Sequence, residues 1–180
     1  YMVEKNTMIF VGGIHGVGKS YFCEIVKNKL GIKSYSASQL ITSRRNRGFA
    51  ADKLVPDIDD NQLLLAAAVD ELRRVEREFI LDGHFCLLNA EGIISRIPLD
   101  TFISLTPGMI ILLTEKPEVI ANRRLWRDHV QQNVSDIKDF QNAERKYAEE
   151  VAAQLGIPLE ISNGDSDLER ILGCIQKGGL

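Results

Sequence analysis

The sequence contains no Cys-x-x-Cys pair, and its three cysteines, Cys23, Cys86 and Cys174, lie far apart. Such an odd and scattered set is typical of free thiols in a reducing compartment and argues against a disulfide framework. No apolar run approaches the ~20 residues that a membrane-spanning helix needs, and the first residues lack the charged-then-apolar pattern of a signal peptide. We therefore expect a cytoplasmic protein that does not use a membrane as a partner.

An excess of positive charge is also missing. The net charge is -3 and the pI about 5.7, so no basic field extends over the molecule and nucleic acid is not an expected partner. Binding of any polyanion must therefore be local. The 180 residues are 44% hydrophobic and 26% charged, without repeats or low-complexity tracts, and they predict a single domain over residues 2–180.

What the sequence does contain is a phosphate-binding motif, V-G-G-I-H-G-V-G-K-S-Y, over residues 11–21. Gly13, Gly18, Lys19 and Ser20 match the pattern G-x-x-x-x-G-K-S/T, with an apolar run before it and a helix-compatible segment after it. Glycines let the backbone turn so that successive N–H groups hold a polyphosphate at a helix N-terminus. A structural glycine-rich turn is the alternative, whereas the glycine spacing disfavours a dinucleotide-binding loop.

The motif predicts a set of nucleotide-binding residues. They are Gly13, His15, Gly16, Val17, Gly18, Lys19, Ser20 and Tyr21. Lys19 adds a positive charge to the backbone N–H groups, and the Ser20 hydroxyl is a ligand for Mg²⁺. His15 contributes its backbone N–H whatever its side chain contacts.

Apolar runs alternate with amphipathic segments along the whole chain, which predicts an α/β fold. Five strands are expected, at Thr7–Val11, Ile32–Ala37, Glu78–Leu81, Met109–Leu113 and Ile157–Ile161. Pro158 in the last of them indicates either an edge position in the sheet or a strand start. Helices are expected over Tyr21–Leu30, from Asp59 or Asp60, from Pro117, from Phe140 to Leu155, and over Leu168–Ile175. The result is a P-loop NTPase with a five-stranded parallel sheet and helices on both faces.

Three segments between these elements are less regular. Ser38–Arg47 is polar and precedes a loop marked by Gly48 and Pro56, and 89–107 shows no readable pattern. We expect 133–136 to be a connection. Ser166 and Glu169 have the spacing of a capping box at the start of the last helix.

A second group of reactive side chains lies in Asp82-Gly83-His84, directly after the third predicted strand. Ligands of parallel sheets bind at the carboxyl ends of the strands, and the Mg²⁺ of a bound triphosphate takes oxygen ligands. Asp82 is therefore the expected partner of Ser20 in a magnesium site, with Glu115 after the next strand as the alternative. A turn or capping role for Asp82 stays open, and His84 is either a substrate contact or a partly buried structural histidine.

Two clusters of arginines are suited to phosphate recognition. Arg123 and Arg127 are four residues apart, so they share one face of a predicted helix and can converge on one anion. Arg44 and Arg45 follow the second strand. For each cluster, a solvated helix surface is the alternative explanation.

In order along the chain, the phosphate loop, the downstream arginines, I-L-D-G-H, I-I-L-L, R-R-L-W-R-D and I-S-N-G-D resemble archaeal-type adenylate kinases and their nuclear eukaryotic relatives. The resemblance covers nearly the whole chain. It implies transfer from ATP, with Mg²⁺, to a nucleoside monophosphate. It further implies that Arg123 stacks on the donor base, Arg127 contacts phosphates, Arg44 or Arg45 holds the acceptor phosphate, and Asn163 approaches the donor adenine.

The same resemblance divides the domain into a core, an acceptor-binding insertion at about 38–77 and a lid at about 123–138. The chain departs from the family after R-R-L-W-R-D, where H-V-Q-Q-N-V carries no lysine or arginine. This predicts a lid with fewer cations. Two alternatives therefore stay open: a nucleotide-binding regulatory module with weak hydrolysis, and a small-molecule kinase that phosphorylates a hydroxyl with Asp82 as the base.

Overall fold

The computed structural model describes residues 7–47 and 58–178. Its strands are β1 (Thr7–Gly12), β2 (Lys33–Ser36), β3 (Glu78–Asp82), β4 (Cys86–Leu88), β5 (Ile94–Arg96), β6 (Met109–Thr114) and β7 (Leu159–Asn163). Its helices are α1 (Lys19–Leu30), α2 (Ala37–Asn46), α3 (Ile58–Val75), α4 (Leu99–Leu105), α5 (Pro117–Asp128), α6 (Val134–Leu155) and α7 (Leu168–Gly178), with a 3-10 turn at Gly164–Asp167.

Five of the strands form a parallel sheet in the order β2-β3-β1-β6-β7, which confirms the predicted fold class and the edge position of the last strand. The central strand β1 pairs with β3 on one side and β6 on the other, with Val11 opposite Asp82 and Gly12 opposite Leu112. Since the strands are parallel, their carboxyl ends share one edge of the sheet. The phosphate loop after β1, Asp82 at the end of β3 and Glu115 after β6 therefore meet there.

The three central strands are buried on both faces. Residues such as Ile80, Ile110 and Ile111 expose none of their surface, which explains why these strands are continuous apolar runs and not alternating ones. Aromatic rings pack near the edge of the sheet that holds the carboxyl ends of the strands. Phe85 and Phe102 stack with 5.0 Å between ring centroids, and Phe10 meets both rings edge-on at 5.0 and 5.3 Å. The core therefore supports the strand ends that carry the site.

Two glycines at this edge are required by close packing. A Cβ on Gly12 would lie 2.6 Å from the Phe85 ring, and one on Gly83 would lie 2.9 Å from the Phe10 ring. No side chain fits at these distances. The aromatic cluster therefore lies against the backbone at the end of β1 and directly after β3.

Four elements, α2, β4, β5 and α4, were not predicted from the sequence. The polar segment after β2 is the helix α2, whose N-terminus is capped by Ser36 through a hydrogen bond from the Gln39 N–H. The stretch 89–107 contains β5 and α4, and β5 pairs with β4 in an antiparallel hairpin. Strands of three residues and a helix of seven are too short to show a period.

One predicted helix boundary and one predicted helix cap were also wrong. Helix α6 begins at Val134 within the expected connection, because the Asn133 side chain accepts from the Ser135 N–H at 2.8 Å and caps it. The proposed capping box does not form. Ser166 donates to the Asn163 carbonyl at 3.3 Å instead, since a 3-10 turn precedes α7. The predicted loop at Gly48 to Pro56 lies outside the described residues.

Within residues 7–47 and 58–178, no helix combines the length and the apolar character that crossing a membrane requires.

Candidate active site

The phosphate loop runs from Gly13 to Gly18, between β1 and the first residue of α1. Its three glycines, Gly13, Gly16 and Gly18, have φ angles of 152°, 88° and 105°. Residues with a Cβ rarely adopt these angles, so the glycine spacing is what permits this turn. Because α1 starts at Lys19, the loop ends at a helix N-terminus, where backbone N–H groups favour an anion.

Two arginines of α5 donate hydrogen bonds to backbone carbonyls of this loop. Arg123 donates to the carbonyls of Gly16 and Val17 at 3.2 and 3.1 Å, and Arg124 donates to the carbonyl of His15 at 2.8 Å. In a planar peptide the C=O and N–H groups point in opposite directions. Fixing three successive carbonyls therefore also fixes the directions of the loop N–H groups.

A cleft of about 310 Å³ lies between α1, α5 and the ends of β6 and β7. We call it the α5 cleft; its lining includes Tyr21, Thr114, Arg123, Arg127 and Gly164. The two arginines predicted to act together thus share one cleft beside the loop. Arg123 also faces Glu115, with 3.5 Å between its Nη2 and the carboxylate.

Asn163 ends β7 at the rim of the α5 cleft, which its neighbours Ser162 and Gly164 line. Its side-chain oxygen accepts from the Thr114 hydroxyl at 2.9 Å, and its backbone N–H donates to Asp167 at 3.0 Å. The side chain is therefore engaged in holding β7 to β6. The neighbouring residues form the cleft wall.

On the other side of the loop is a second cleft, of about 360 Å³, which we call the α3 cleft. Its polar lining includes Lys19, Ser20, Ser38, Asn61, Gln62, Asp82, His84 and Thr101. Apolar residues such as Phe102 and Leu105 complete its wall. The phosphate loop thus separates two clefts, and Lys19, Ser20 and Asp82 all belong to the α3 cleft.

Lys19 and Asp82 form a largely buried ion pair in which Nζ lies 3.4 Å from Oδ1. The same ammonium contacts the carbonyls of Gly13 at 2.9 Å and Gly83 at 3.3 Å. Burial lowers the pKa of Lys19 and raises the pKa of Asp82, and each partner opposes the shift of the other. Each charge is therefore stabilised by the other in a place where one alone would be costly.

His84 packs against the same lysine. Its Nδ1 lies 3.1 Å from the Gly13 carbonyl and 3.4 Å from the Lys19 ammonium. Burial, with a contribution from Lys19, lowers the pKa of His84 to about 4. The ring is therefore neutral at pH 7, and its Nδ1–H donates to Gly13 because a carbonyl only accepts.

We expect His84 to make folding stability depend on pH. Its pKa is about 4 in the folded protein against an ordinary value of 6.5, so between these values the unfolded chain binds a proton that the folded chain does not. Stability rises with pH in that window. Lowering the pH from 7 to 4.5 should cost about 2 to 3 kcal/mol through this residue, measured by urea unfolding.

The matched variant for this measurement is His84→Asn, whose amide keeps a donor for the Gly13 carbonyl but does not titrate. Its free energy of unfolding should fall less than that of the wild type over the same pH range. Equal pH slopes for the two proteins would contradict the prediction.

The residues of the α3 cleft fit a magnesium ion. The Ser20 hydroxyl and the Asp82 carboxylate are oxygen donors in one cleft, and Mg²⁺ typically takes one or two carboxylates together with substrate phosphates and water. In the described part of the chain there is no cluster of three or more His, Cys, Asp or Glu side chains that would bind a metal by itself. Glu115, the alternative ligand, lies in the α5 cleft.

Arg44 and Arg45 do not belong to the lining of either cleft. Arg44 is 7% exposed, and its Nη1 lies 2.8 Å from the Glu71 carboxylate on α3. Arg45 donates to the Asn61 side chain, which does line the α3 cleft. Since the segment is helical, Ser38 and Ile41, three residues apart, occupy the face of α2 that meets the cleft.

Sequence reasoning missed two residues of this site. Arg124 holds the His15 carbonyl, a contact that no spacing rule indicates. Glu144 on α6 is 1% exposed, and its carboxylate accepts hydrogen bonds from the backbone N–H groups of Phe85 and Cys86, shortly after Asp82. A signal for Glu144 was present, because it lies four residues after Phe140 and three before Tyr147 on the apolar face of its helix.

Comparison with known proteins assigns the chain to a family. Residues 12–141 match the family model described as AAA domain, a stretch that covers well over half of the chain. The chain belongs to the AAA domain family. The matched residues include the phosphate loop, Asp82 and the arginines of α5, so this AAA domain is a P-loop kinase-like domain.

Solved structures with a similar fold include a gluconokinase from Sinorhizobium meliloti 1021, with a TM-score of 0.54 and 19% identity over 97% of this chain and 91% of that one. An uncharacterized protein from Eubacterium ventriosum has a TM-score of 0.50 and 12% identity over 95% and 96% of the two chains. At these identities the likeness shows the fold alone. No curated protein sequence matches this AAA domain, and the resemblance to adenylate kinases stays a prediction.

Proposed function

We propose that this AAA domain protein is an ATP- and Mg²⁺-dependent kinase that phosphorylates a hydroxyl group of a small molecule bound in the α3 cleft. The observation that carries the proposal is the position of Asp82. Its carboxylate lies beside Lys19, on the wall of a cleft whose described lining contains serine, threonine, asparagine and glutamine but no arginine. A volume of about 360 Å³ fits a small polar molecule.

The chemistry of the acceptor explains why this lining matters. A hydroxyl is a weak nucleophile and transfers its proton to a base during the reaction, whereas a monophosphate is already anionic. Asp82 is suited to this role because burial raises its pKa. A monophosphate acceptor instead needs cations, and the arginines expected for it contact α3.

In this mechanism the acceptor oxygen forms a bond to the γ-phosphorus while its proton passes to the Asp82 carboxylate. The bond between the γ-phosphorus and the bridging oxygen breaks, and ADP leaves with the electron pair. Lys19 and the loop N–H groups stabilise the negative charge on the transferring group and on ADP. Most of the catalysis is therefore positioning and charge stabilisation.

Ser20 and Asp82 are the residues that would hold Mg²⁺, which supplies charge neutralisation on the phosphates. We assign the donor nucleotide to the α5 cleft, with Arg123 against the base, Arg127 near the phosphates and the segment around Asn163 at the adenine. The carbonyl contacts of Arg123 support this placement, since they keep its guanidinium beside the loop.

The proposal retains two moving parts. We assign acceptor binding to residues 38–77, of which α2 and α3 are described, and a lid to residues 123–138. The exposed His15 ring lies 2.7 Å from the Asp128 carboxylate, so the lid helix contacts the phosphate loop through side chains as well. The connection between the two helices of the lid is short, because α6 begins at Val134, six residues after α5 ends.

A nucleoside monophosphate is the second candidate acceptor. The supporting observation is that Arg45 donates to the side chain of Asn61, which lines the α3 cleft, so its guanidinium is separated from this cleft by one side chain. The resemblance to archaeal-type adenylate kinases points the same way.

A coupled assay of ADP production tests these alternatives. ATP and Mg²⁺ are supplied with neutral nucleosides, polyols, sugars and sugar acids in one series and with nucleoside monophosphates in another. We expect compounds of the first series to raise ADP production above the acceptor-free rate. Stimulation by monophosphates alone would favour the second candidate, and no stimulation by any acceptor would leave a weakly hydrolysing regulatory module.

A further inference from the structure

We propose that Glu144 is a positioning residue that ties the segment carrying Asp82 and His84 to α6 and so holds that segment against the start of the phosphate loop. It would thereby set the spacing between the donor phosphates and the acceptor. This inference rests on the proposed function only where it concerns transfer, because the tie itself can be measured without an acceptor.

The contacts of Glu144 define the tie. One carboxylate oxygen accepts from the Phe85 N–H at 3.2 Å and the other from the Cys86 N–H at 2.8 Å. Burial raises the pKa of this carboxyl, and its hydrogen bonds with the Phe85 and Cys86 backbone oppose that shift. Both oxygens thus accept from backbone N–H groups, as an ionised carboxylate does.

Two chain segments meet at this point, and the His84 ring, directly before Phe85, joins them because its Nδ1 lies 3.1 Å from the Gly13 carbonyl. Gly13 opens the phosphate loop after β1, and Phe85 and Cys86 follow Asp82-Gly83-His84 after β3. The backbone ladder between the two strands ends with the bond from the Gly83 N–H to the Val11 carbonyl at 3.0 Å. Beyond that point Glu144 holds the backbone of Phe85 and Cys86 from α6.

The position of Glu144 requires a hydrogen-bond acceptor but not a charged one. Glu144 occupies the apolar face of α6 between Phe140 and Tyr147, where the two backbone N–H groups need an acceptor and a buried charge carries a large desolvation penalty. Its charge also attracts Lys19 and raises the pKa of that lysine against the lowering by burial. The carboxylate therefore balances the catalytic cation while it holds the backbone.

Helix α6 makes a second contact of the same kind one turn earlier. The Gln141 amide accepts from the Glu115 N–H at 3.0 Å and donates to the Glu115 carbonyl at 2.8 Å. The helix thus holds the backbone beyond the ends of both neighbours of β1, and its first turn belongs to the proposed lid.

The test compares Glu144→Gln with Glu149→Gln, a matched change at an exposed position of the same helix. Glutamine keeps the shape but presents an NH₂ group to backbone N–H donors and removes the charge. We expect kcat per folded molecule to fall roughly 10²-fold, with the KM for ATP changed less than about threefold, as a small misplacement of reacting groups produces. The control should match the wild type.

Amide hydrogen exchange measures the tie independently of any activity. In Glu144→Gln, exchange should accelerate in peptides covering 12–16 and 84–87 and stay unchanged in 109–113. If the wild type transfers phosphate to no acceptor, the proposed function fails while this result still supports the tie. Unchanged exchange in 12–16, or a kcat loss that only follows the loss of folded protein in both Glu144→Gln and Glu144→Asp, would overturn the inference.

Discussion

Replacing Lys19 with methionine is expected to lower the rate of phosphoryl transfer about 10³-fold, at the upper end of the cost of losing one preorganised donor. Methionine has a similar length but no charge, so the transferring group loses the cation that the phosphate loop provides. The ammonium is held within 3.4 Å of Asp82 and of two backbone carbonyls, which preorganises it at the loop. ATP binding should weaken as well, and both effects are measured by the coupled assay and by titration with ATP.

Lys27→Met is the matched control, because Lys27 is an exposed residue of the same helix. It should transfer phosphate at the wild-type rate. Far-UV circular dichroism of both variants checks that the fold is kept. A Lys19→Met protein that retains more than a tenth of the wild-type rate would contradict the role assigned to this residue.

The central part of the fold was predictable because its strands are buried on both faces. Residues 8–11, 79–81 and 109–113 are apolar without interruption, a pattern that few other structures produce. The order of the strands was not predictable, since it depends on how each crossover packs. The hairpin β4–β5 and helix α4 could not be predicted, because each of these elements is shorter than two repeats of its own hydrophobic pattern.

The site divides in the same way. The positions of the phosphate loop after β1 and of Asp82 at the end of β3 could be predicted, because a backbone turn and a strand end leave fixed spacings in the sequence. Residues that act through backbone carbonyls or N–H groups of distant segments leave no such spacing, and Arg124 and Glu144 are of this kind. For Arg44 the sequence did not indicate the ion pair that its side chain makes with Glu71 on α3, and its contact with an acceptor phosphate stays a prediction.

Replacing Asp82 with asparagine is expected to lower kcat about 10²- to 10⁴-fold with a hydroxyl acceptor, the usual contribution of a general base. Asparagine has the same shape but does not accept a proton. Lys19 keeps its contacts with the Gly13 and Gly83 carbonyls, so the fold should be retained. In the wild type, kcat should fall as the pH drops through the raised pKa of Asp82, because the base must be ionised, and the variant should lose this dependence.

Asp139→Asn, at an exposed position of α6, is the control for this change and should leave kcat and its pH profile unaltered. The dependence on Mg²⁺ separates the two roles that Asp82 has in the proposal. If the carboxylate only held the metal, raising the Mg²⁺ concentration would restore transfer in Asp82→Asn. If it also accepts the proton, saturating Mg²⁺ leaves the rate low with hydroxyl acceptors, while a monophosphate, which needs no base, would lose far less. Full activity of Asp82→Asn with a hydroxyl acceptor would contradict both roles.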